Sequence, residues 1–482
     1  MSRKQIYVLS VCALLFVTVG ISVSTAPRMQ RVQQHLEKRP AVEDNNLSIE
    51  ADTFSTHLPL VSIETGGQVI PGRPGEGQKV RDVENSFITA DMKIIDQEEA
   101  LNTLTAQPAV ESQVQIRVRG NSSRHFDKTG YLFKFTDQAG NQDEFPVMGM
   151  EKNSTWILHG PYLDKTLMRN YMWYNLSGQI MEWAPDVRYC ELFLDGSYQG
   201  VYVMTEQISV APGRINATKY DGKAAMSSYV LCADRVSVND TEFIDNFTKY
   251  TRRSASQMEI KYPGEKKMTP ELKEAIGRDF SAFEKSLYSF DYDSRRYGYR
   301  TFIDVGNFAD YFIINEVTQN IDACAYSTYF YKDVAGKLKM CVWDFNNSCD
   351  NYVDDPMTAK GFFMHTRPWF YMLCKDEAFV ERVISRYREL RRGILSNEEV
   401  EKYIQDVQDY LGPAVDRNFK VWGYSFDPAY DLMTEENRKI GSYEEAISQY
   451  RTHLIERMEW MDRHIDSLRA YSHESKNKKF NH

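Results

Sequence analysis

The sequence predicts an α+β fold of two lobes, a strand-rich N-terminal half followed by a helix-rich C-terminal half. Three observations predict it. From Leu58 to about Tyr262, short alternating or continuous apolar runs broken by turn residues dominate. After Pro263 the apolar residues recur at spacings of three and four. Within that second half one hairpin stands out, Tyr326 to Lys332 and Leu338 to Trp343, turning through Val334-Ala335-Gly336-Lys337.

The chain starts with Arg3 and Lys4 ahead of an uncharged run from Ile6 to Val23, close to the ~20 residues that cross a bilayer. Basic residues before such a run send the following chain across the membrane. Ser24-Thr25-Ala26 has the small residues of a cleavage site, but Pro27 disfavours cutting there. Residues 1–26 therefore read as a signal anchor, or as a signal peptide if cleaved. Either places the rest outside the cytoplasmic membrane, anchored to it or secreted. Residues 27–57 read as a polar linker, 58–470 as the main domain (lobes 58–262 and 263–470), and 471–482 as a polar tail.

In the first lobe Leu60-Val61-Ser62-Ile63, Ser86 to Ile95 and Val114 to Val118 read as strands, and Tyr131, Phe133 and Phe135 alternate with Leu132 and Lys134. Cys190 to Leu194 and Gly200 to Thr205, joined through Asp195-Gly196, form a hairpin signal. Asp164 caps an expected helix carrying Leu167, Met168, Tyr171 and Met172. In the second lobe Thr269-Pro270 starts a helix. Others are marked by Phe308, Tyr311 and Phe312, by Phe379, Val383 and Tyr387, and by Tyr443, Ile447, Tyr450 and Leu454.

A net charge of -10 argues against a nucleic-acid protein, which needs a basic surface. It leaves room for a nucleotide, whose few phosphates can be met by a metal and two or three cations. None of the 7 cysteines forms a CxxC pair, which removes the usual zinc spacing; a disulfide and buried free thiols both remain open.

Four blocks carry a family resemblance. Arg119-Gly120-Asn121-Ser122 comes first. Trp156 to Asn170 follows, with Asp164 and Arg169. Glu191 to Glu206 (ELFLDGSYQGVYVMTE) is third. Asn315-Glu316 through Asp322, Tyr329 and Tyr331 to Val342-Trp343-Asp344-Phe345 is last. In this order they resemble the CotH (spore coat protein H) kinase family over nearly all of the chain from Leu58. The resemblance implies an atypical protein-kinase-like fold that binds ATP with Mg²⁺ or Ca²⁺ and phosphorylates protein Ser or Thr; the sequence does not name the protein substrate, a coat or envelope protein being one candidate.

The residues themselves support a phosphoryl-transfer reading. Such chemistry needs a carboxylate at the acceptor hydroxyl, a metal on the phosphates, and cations taking up charge. Asp322 lies before the Tyr326–Trp343 hairpin and Asp344 after it, so both should face one spot. Asp322 is the expected catalytic base or hydroxyl-positioning group and Asp344 the expected metal ligand. Asn346 stands where the family tends to have a second Asp; it offers a carbonyl oxygen without charge. Asp350 is placed either to restore that charge or to cap a loop. Ser327 occupies the place where protein kinases keep an Asn ligand. For nucleotide phosphates the candidates are Arg119, Lys128 and Lys134. Glu206 ends its strand where a kinase hinge would run. Arg119 could equally be structural, and Lys134 could equally be an edge-strand residue reaching solvent. Arg169 and Asp164 suit a structural salt bridge.

Two rivals accompany the active kinase. One is a catalytically impaired kinase-fold scaffold or envelope protein that binds partners, favoured by Asn346, Ser327 and Cys349-Asp350. The other is a carboxylate-pair hydrolase of wall polysaccharide, which would need neither metal nor nucleotide.

Overall fold

The computed structural model describes residues 31–475 apart from 38–41, 76–77, 79–82, 84, 236–242, 252–255 and 436–437. The Ile6–Val23 run, the Ser24-Thr25-Ala26 site and Cys12 lie outside the described residues. Among the described residues no helix is long and apolar enough to cross a membrane.

Residues from Gln34 onward form one compact unit. Part of the stretch expected to be a linker therefore belongs to the fold. Gln34 and Asp44 are buried, the first bonded to the backbone of Tyr189 and the second to Arg417. Polar residues without periodicity read as linker, but here their partners lie far along the chain.

The strand-rich half closes into a barrel. Its strands are β1 (Leu60–Glu64), β2 (Ile88–Ile95), β3 (Val110–Val118), β4 (Tyr131–Thr136), β7 (Thr155–His159), β8 (Val187–Leu194) and β9 (Ser197–Glu206). They run in the order β1-β2-β3-β4-β7-β9-β8, and β1 returns parallel to β8 to close the ring. A small ribbon, β5 (Phe145–Val147) with β6 (Met150–Asn153), sits beside it. Alternation sends Val114, Ile116, Val118, Phe133, Phe135, Trp156 and Leu158 inward. It sends Leu132 and Ile157 outward, into the core shared with the helices. Asp195 and Gly196, both at positive φ, make the tight β8–β9 turn.

A second sheet has the order β11-β10-β12-β13, from β10 (Tyr229–Asp234), β11 (Gln257–Tyr262), β12 (Thr328–Lys332) and β13 (Lys339–Cys341). It joins strands from both halves of the sequence, because β10 pairs antiparallel with β12.

The helices are α1 (Gln34–Glu37), α2 (Arg169–Ile180), α3 (Pro270–Leu287), α4 (Val305–Thr318), α5 (Phe370–Leu373), α6 (Glu377–Arg391), α7 (Asn397–Leu411), α8 (Pro413–Trp422) and α9 (Tyr443–His464). Side chains of Thr269, Asp304, Asp376, Ser396 and Ser442 cap α3, α4, α6, α7 and α9. The helix expected from Asp164 starts later than its capping residue implied. Leu167 lies at positive φ before α2, and Asp164 instead accepts hydrogen bonds from the backbone of Thr166 and Arg169. The six described cysteines are free and buried.

Candidate active site

Sheet register gathers the acidic residues. Cys232 of β10 faces Tyr329 of β12, and Tyr329 faces Cys341 of β13. The end of β10, the start of β12 and the end of β13 therefore share one edge of the sheet. Asp234 ends β10, Asp322 lies in the loop between α4 and β12, and Asp344 follows β13 by three residues. The turn carrying Asp322 is closed by Ala325 and Tyr326, whose N–H groups donate to its carbonyl at 2.9 and 2.7 Å.

The three carboxylates act on one another. Burial first, and then the neighbouring charge of Asp322, with a contribution from Asp234, push Asp344 up to about 6. Burial also raises Asp322, against a hydrogen bond from Asn347 Nδ2 at 3.0 Å and the charges of Arg235 and Arg367. Asp234 is raised by burial and by Asp322. Crowding of this kind disfavours full ionisation unless a cation enters.

Asp344 is held at positive φ, its N–H donating to Tyr174 Oη at 3.0 Å and its carbonyl accepting from Asn320 Nδ2 at 3.0 Å. Asn346 Oδ1 accepts from Asn170 Nδ2 at 3.0 Å. His159 faces Asn346; burial, then the charge of Arg119, lowers it to about 4, so it is neutral at physiological pH. Among the described residues no group of three His, Cys, Asp or Glu side chains is arranged to hold a metal.

Cations stand around this group. Arg119 follows β3 with its guanidinium 5.6 Å from the Trp343 ring centre, and its charge lowers Asp344. Arg235 lies 4.0 Å from the Tyr326 ring centre, and Arg367 donates to the Ile321 carbonyl at 3.0 Å.

The other sequence-derived candidates fall elsewhere. Lys128 is 1% exposed and donates to Asn418 of α8 at 2.6 Å; burial pulls it well below the usual lysine range. Lys134 is exposed on the outer face of β4, 4.6 Å from the Phe87 ring centre. It is not an edge-strand residue, since β4 pairs on both sides. Glu206 is buried, accepts from the Asp186 N–H at 2.9 Å and lies 3.7 Å from Arg214. Asp350 caps a loop through the Met357 N–H and pairs with Arg438 at 3.2 Å. Asp164 and Arg169 make a buried pair at 2.6 Å, and Arg169 also donates to the Ser348 and Cys349 carbonyls. It thereby fixes the loop that follows Asp344.

Sequence reasoning missed Asp234, Arg235, Arg367, Asn347 and His159. The apolar run Tyr229–Ala233 ending in Asp-Arg was the available signal for the first two.

The family model for CotH kinase protein matches residues 116–461, most of the chain. The chain belongs to the CotH kinase family. In this CotH kinase family member the match takes in Arg119, Asp234, Asp322, Asp344 and Asn346, so the whole carboxylate group lies in family sequence. No curated protein matches the chain.

Proposed function

We propose that the chain is an extracytoplasmic protein kinase with a two-lobed kinase-like fold, moving the terminal phosphoryl group of ATP to Ser or Thr of a protein. The observation that carries this reading is the meeting of Asp322 and Asp344 at the two ends of one hairpin, both raised by burial and Asp344 also by the charge of Asp322. Asp322, with a lifted pKa, suits holding and accepting the acceptor's hydroxyl proton. Asp344 and Asn346 suit a hard divalent cation, Mg²⁺ or Ca²⁺, and its charge would relieve the repulsion among the carboxylates. Nucleotide phosphate oxygens would complete the coordination of such a cation, as is usual for Mg²⁺. When bound, that cation neutralises phosphate charge. Arg119, beside Trp343 and close enough to lower Asp344, would take up charge on the transferred group, whereas Lys134, on the outer face of β4 against Phe87, has no part in this reading. Lys128 and Glu206 serve the fold in this reading: one ties the barrel to α8, the other ties β9 to Asp186 and Arg214. The placement outside the membrane rests on Arg3, Lys4 and the Ile6–Val23 run.

A scaffold reading has its own support: Asn346 brings no charge, and Asp350 is tied to Arg438 rather than to the carboxylate group. Labelled ATP supplied with Mg²⁺ or Ca²⁺ separates the two. Purified chain should label itself or a casein-type acceptor, and Asp322→Asn and Asp344→Asn should each lower the rate by about 10² or more. Saturable binding of metal–ATP with no label in the unmodified chain would favour the scaffold.

A further inference from the structure

A small, partly open cavity lies outside the carboxylate group, between the turn before α2, the loop after β13 and the segment between α8 and α9. Lys165, Arg438, Tyr162, Tyr430, Asn351 and Ser425 are among its walls. Arg438 is 4% exposed, yet its Nη1 has no hydrogen-bond acceptor. Its Nη2 donates to the Tyr352 carbonyl; Nε likewise makes no hydrogen bond but has Asp350 in ion-pair range at 3.2 Å, so Nη1 is the end with no oxygen beside it. A buried guanidinium N–H without an acceptor costs a large part of its hydration and calls for an oxygen.

Lys165 supplies a second cation on the same cavity. It donates to the Tyr162 carbonyl at 3.0 Å and to Ser425 Oγ at 2.5 Å, which leaves one of three N–H directions over. Asp431 also borders the cavity and offsets part of this charge, so the site suits one compact anionic group rather than a polyanion. The rings of Tyr162 and Tyr430 flank that group.

We propose that this cavity binds a small-molecule oxyanion, a phosphate or carboxylate group, with Arg438 and Lys165 as its donors. The inference does not depend on the kinase reading. The cavity still touches the candidate metal loop, because Asn351 donates to the Asn346 carbonyl at 2.8 Å. An occupant seated on Arg438 therefore holds the segment behind Asn346.

Calorimetric titration of the full chain with inorganic phosphate and, separately, acetate, in metal-free buffer at constant ionic strength, tests this. Saturable binding of at least one anion is expected, and the stronger one names the source. Arg438→Lys and Lys165→Gln should each weaken it at least tenfold, with far-UV circular dichroism unchanged. Asp344→Asn should bind as the unmodified chain does, which separates this site from the nucleotide site. No saturable heat with either anion, or equal binding by Lys165→Gln and the unmodified chain, would overturn the assignment.

Discussion

Replacing Asp344 by Asn should make the ligand-free protein more stable while removing the charge that the proposed phosphoryl transfer needs. The side chain is half-buried, and its desolvation, then the charges of Asp322 and Asp234, oppose ionisation and lift it from the ordinary 3.8 to about 6. A shift of that size corresponds to about 3 kcal/mol against the ionised form at neutral pH. Asparagine has the same shape, carries no charge, and keeps an oxygen for the Asn346 N–H that Asp344 Oδ1 now accepts at 3.3 Å. Because the folded-state value is raised, the unmodified chain suffers no penalty below pH 3.8, where the carboxyl is protonated folded or unfolded. The penalty grows as pH rises and is complete above about 6. Urea unfolding of both proteins, in chelator, from pH 4 to 8 reads the difference. The curves should nearly meet at pH 4, and the variant should be more stable by up to about 3 kcal/mol at pH 7.5. Adding Mg²⁺ and ATP should then stabilise the unmodified chain and leave the variant unmoved. A variant less stable than the parent at pH 7.5 in chelator would refute the claim that these carboxylates repel one another.

Arg417 of α8 is fully buried between Glu191 of β8, at 2.7 Å, and Asp44, at 3.1 Å, so Arg417→Met leaves two carboxylates without their counter-ion. It should cost about 3–5 kcal/mol, and a loss below ~1 kcal/mol in urea unfolding would mean that water reaches the pair. His453, bonded to Gln319 Oε1 at 3.0 Å, is lowered to about 4 by burial and then by the charges of Arg457 and Arg169. Its depressed value means that the unfolded chain takes up the proton first, so stability falls as pH drops from 6.5 towards 4. His453→Gln should shrink that loss by about 3 kcal/mol, and an unchanged acid-unfolding midpoint would show that the ring is protonated in the folded protein.

Local signals in the sequence were readable, and long-range ones were not. The β8–β9 hairpin was legible because Asp195-Gly196 satisfies a two-residue turn on its own. The placement of Asp322 and Asp344 at the ends of the β12–β13 hairpin was legible for the same reason, since a hairpin makes neighbours of its own ends. Barrel closure was not, because β1 pairs with a strand some 130 residues later, and no residue in Leu60–Glu64 announces its partner. Helices α7 and α8 went unread. In α8 the inward face carries Arg417 and Asn418, which resemble a solvated surface until Glu191, Asp44 and Lys128 are placed against them. Asp234 escaped because its place beside Asp322 depends on β10 pairing with β12 across about 100 residues.

Backbone strain explains why the carboxylates can stay so close. Among the described residues, non-glycine positive φ concentrates between Gln319 and Asp350: Gln319, Cys324, Ser327, Asp344, Cys349 and Asp350 all lie there. Each such residue costs of order 1 kcal/mol or more, and together with the crowded charges this would unravel an unsupported loop. Support comes from α2, whose Tyr171, Met172 and Trp173 are buried in the core shared by the barrel's outer face and the helices. Arg169 holds the Ser348 and Cys349 carbonyls, Asn170 holds both the Phe345 N–H and Asn346, and Tyr174 accepts the Asp344 N–H. The cost at the site is therefore met by burial at a distance, and the sequence carries it as the Asp164–Tyr174 segment. That segment adds no carboxylate to the Asp234, Asp322 and Asp344 group, yet it fixes where Asp344 can point.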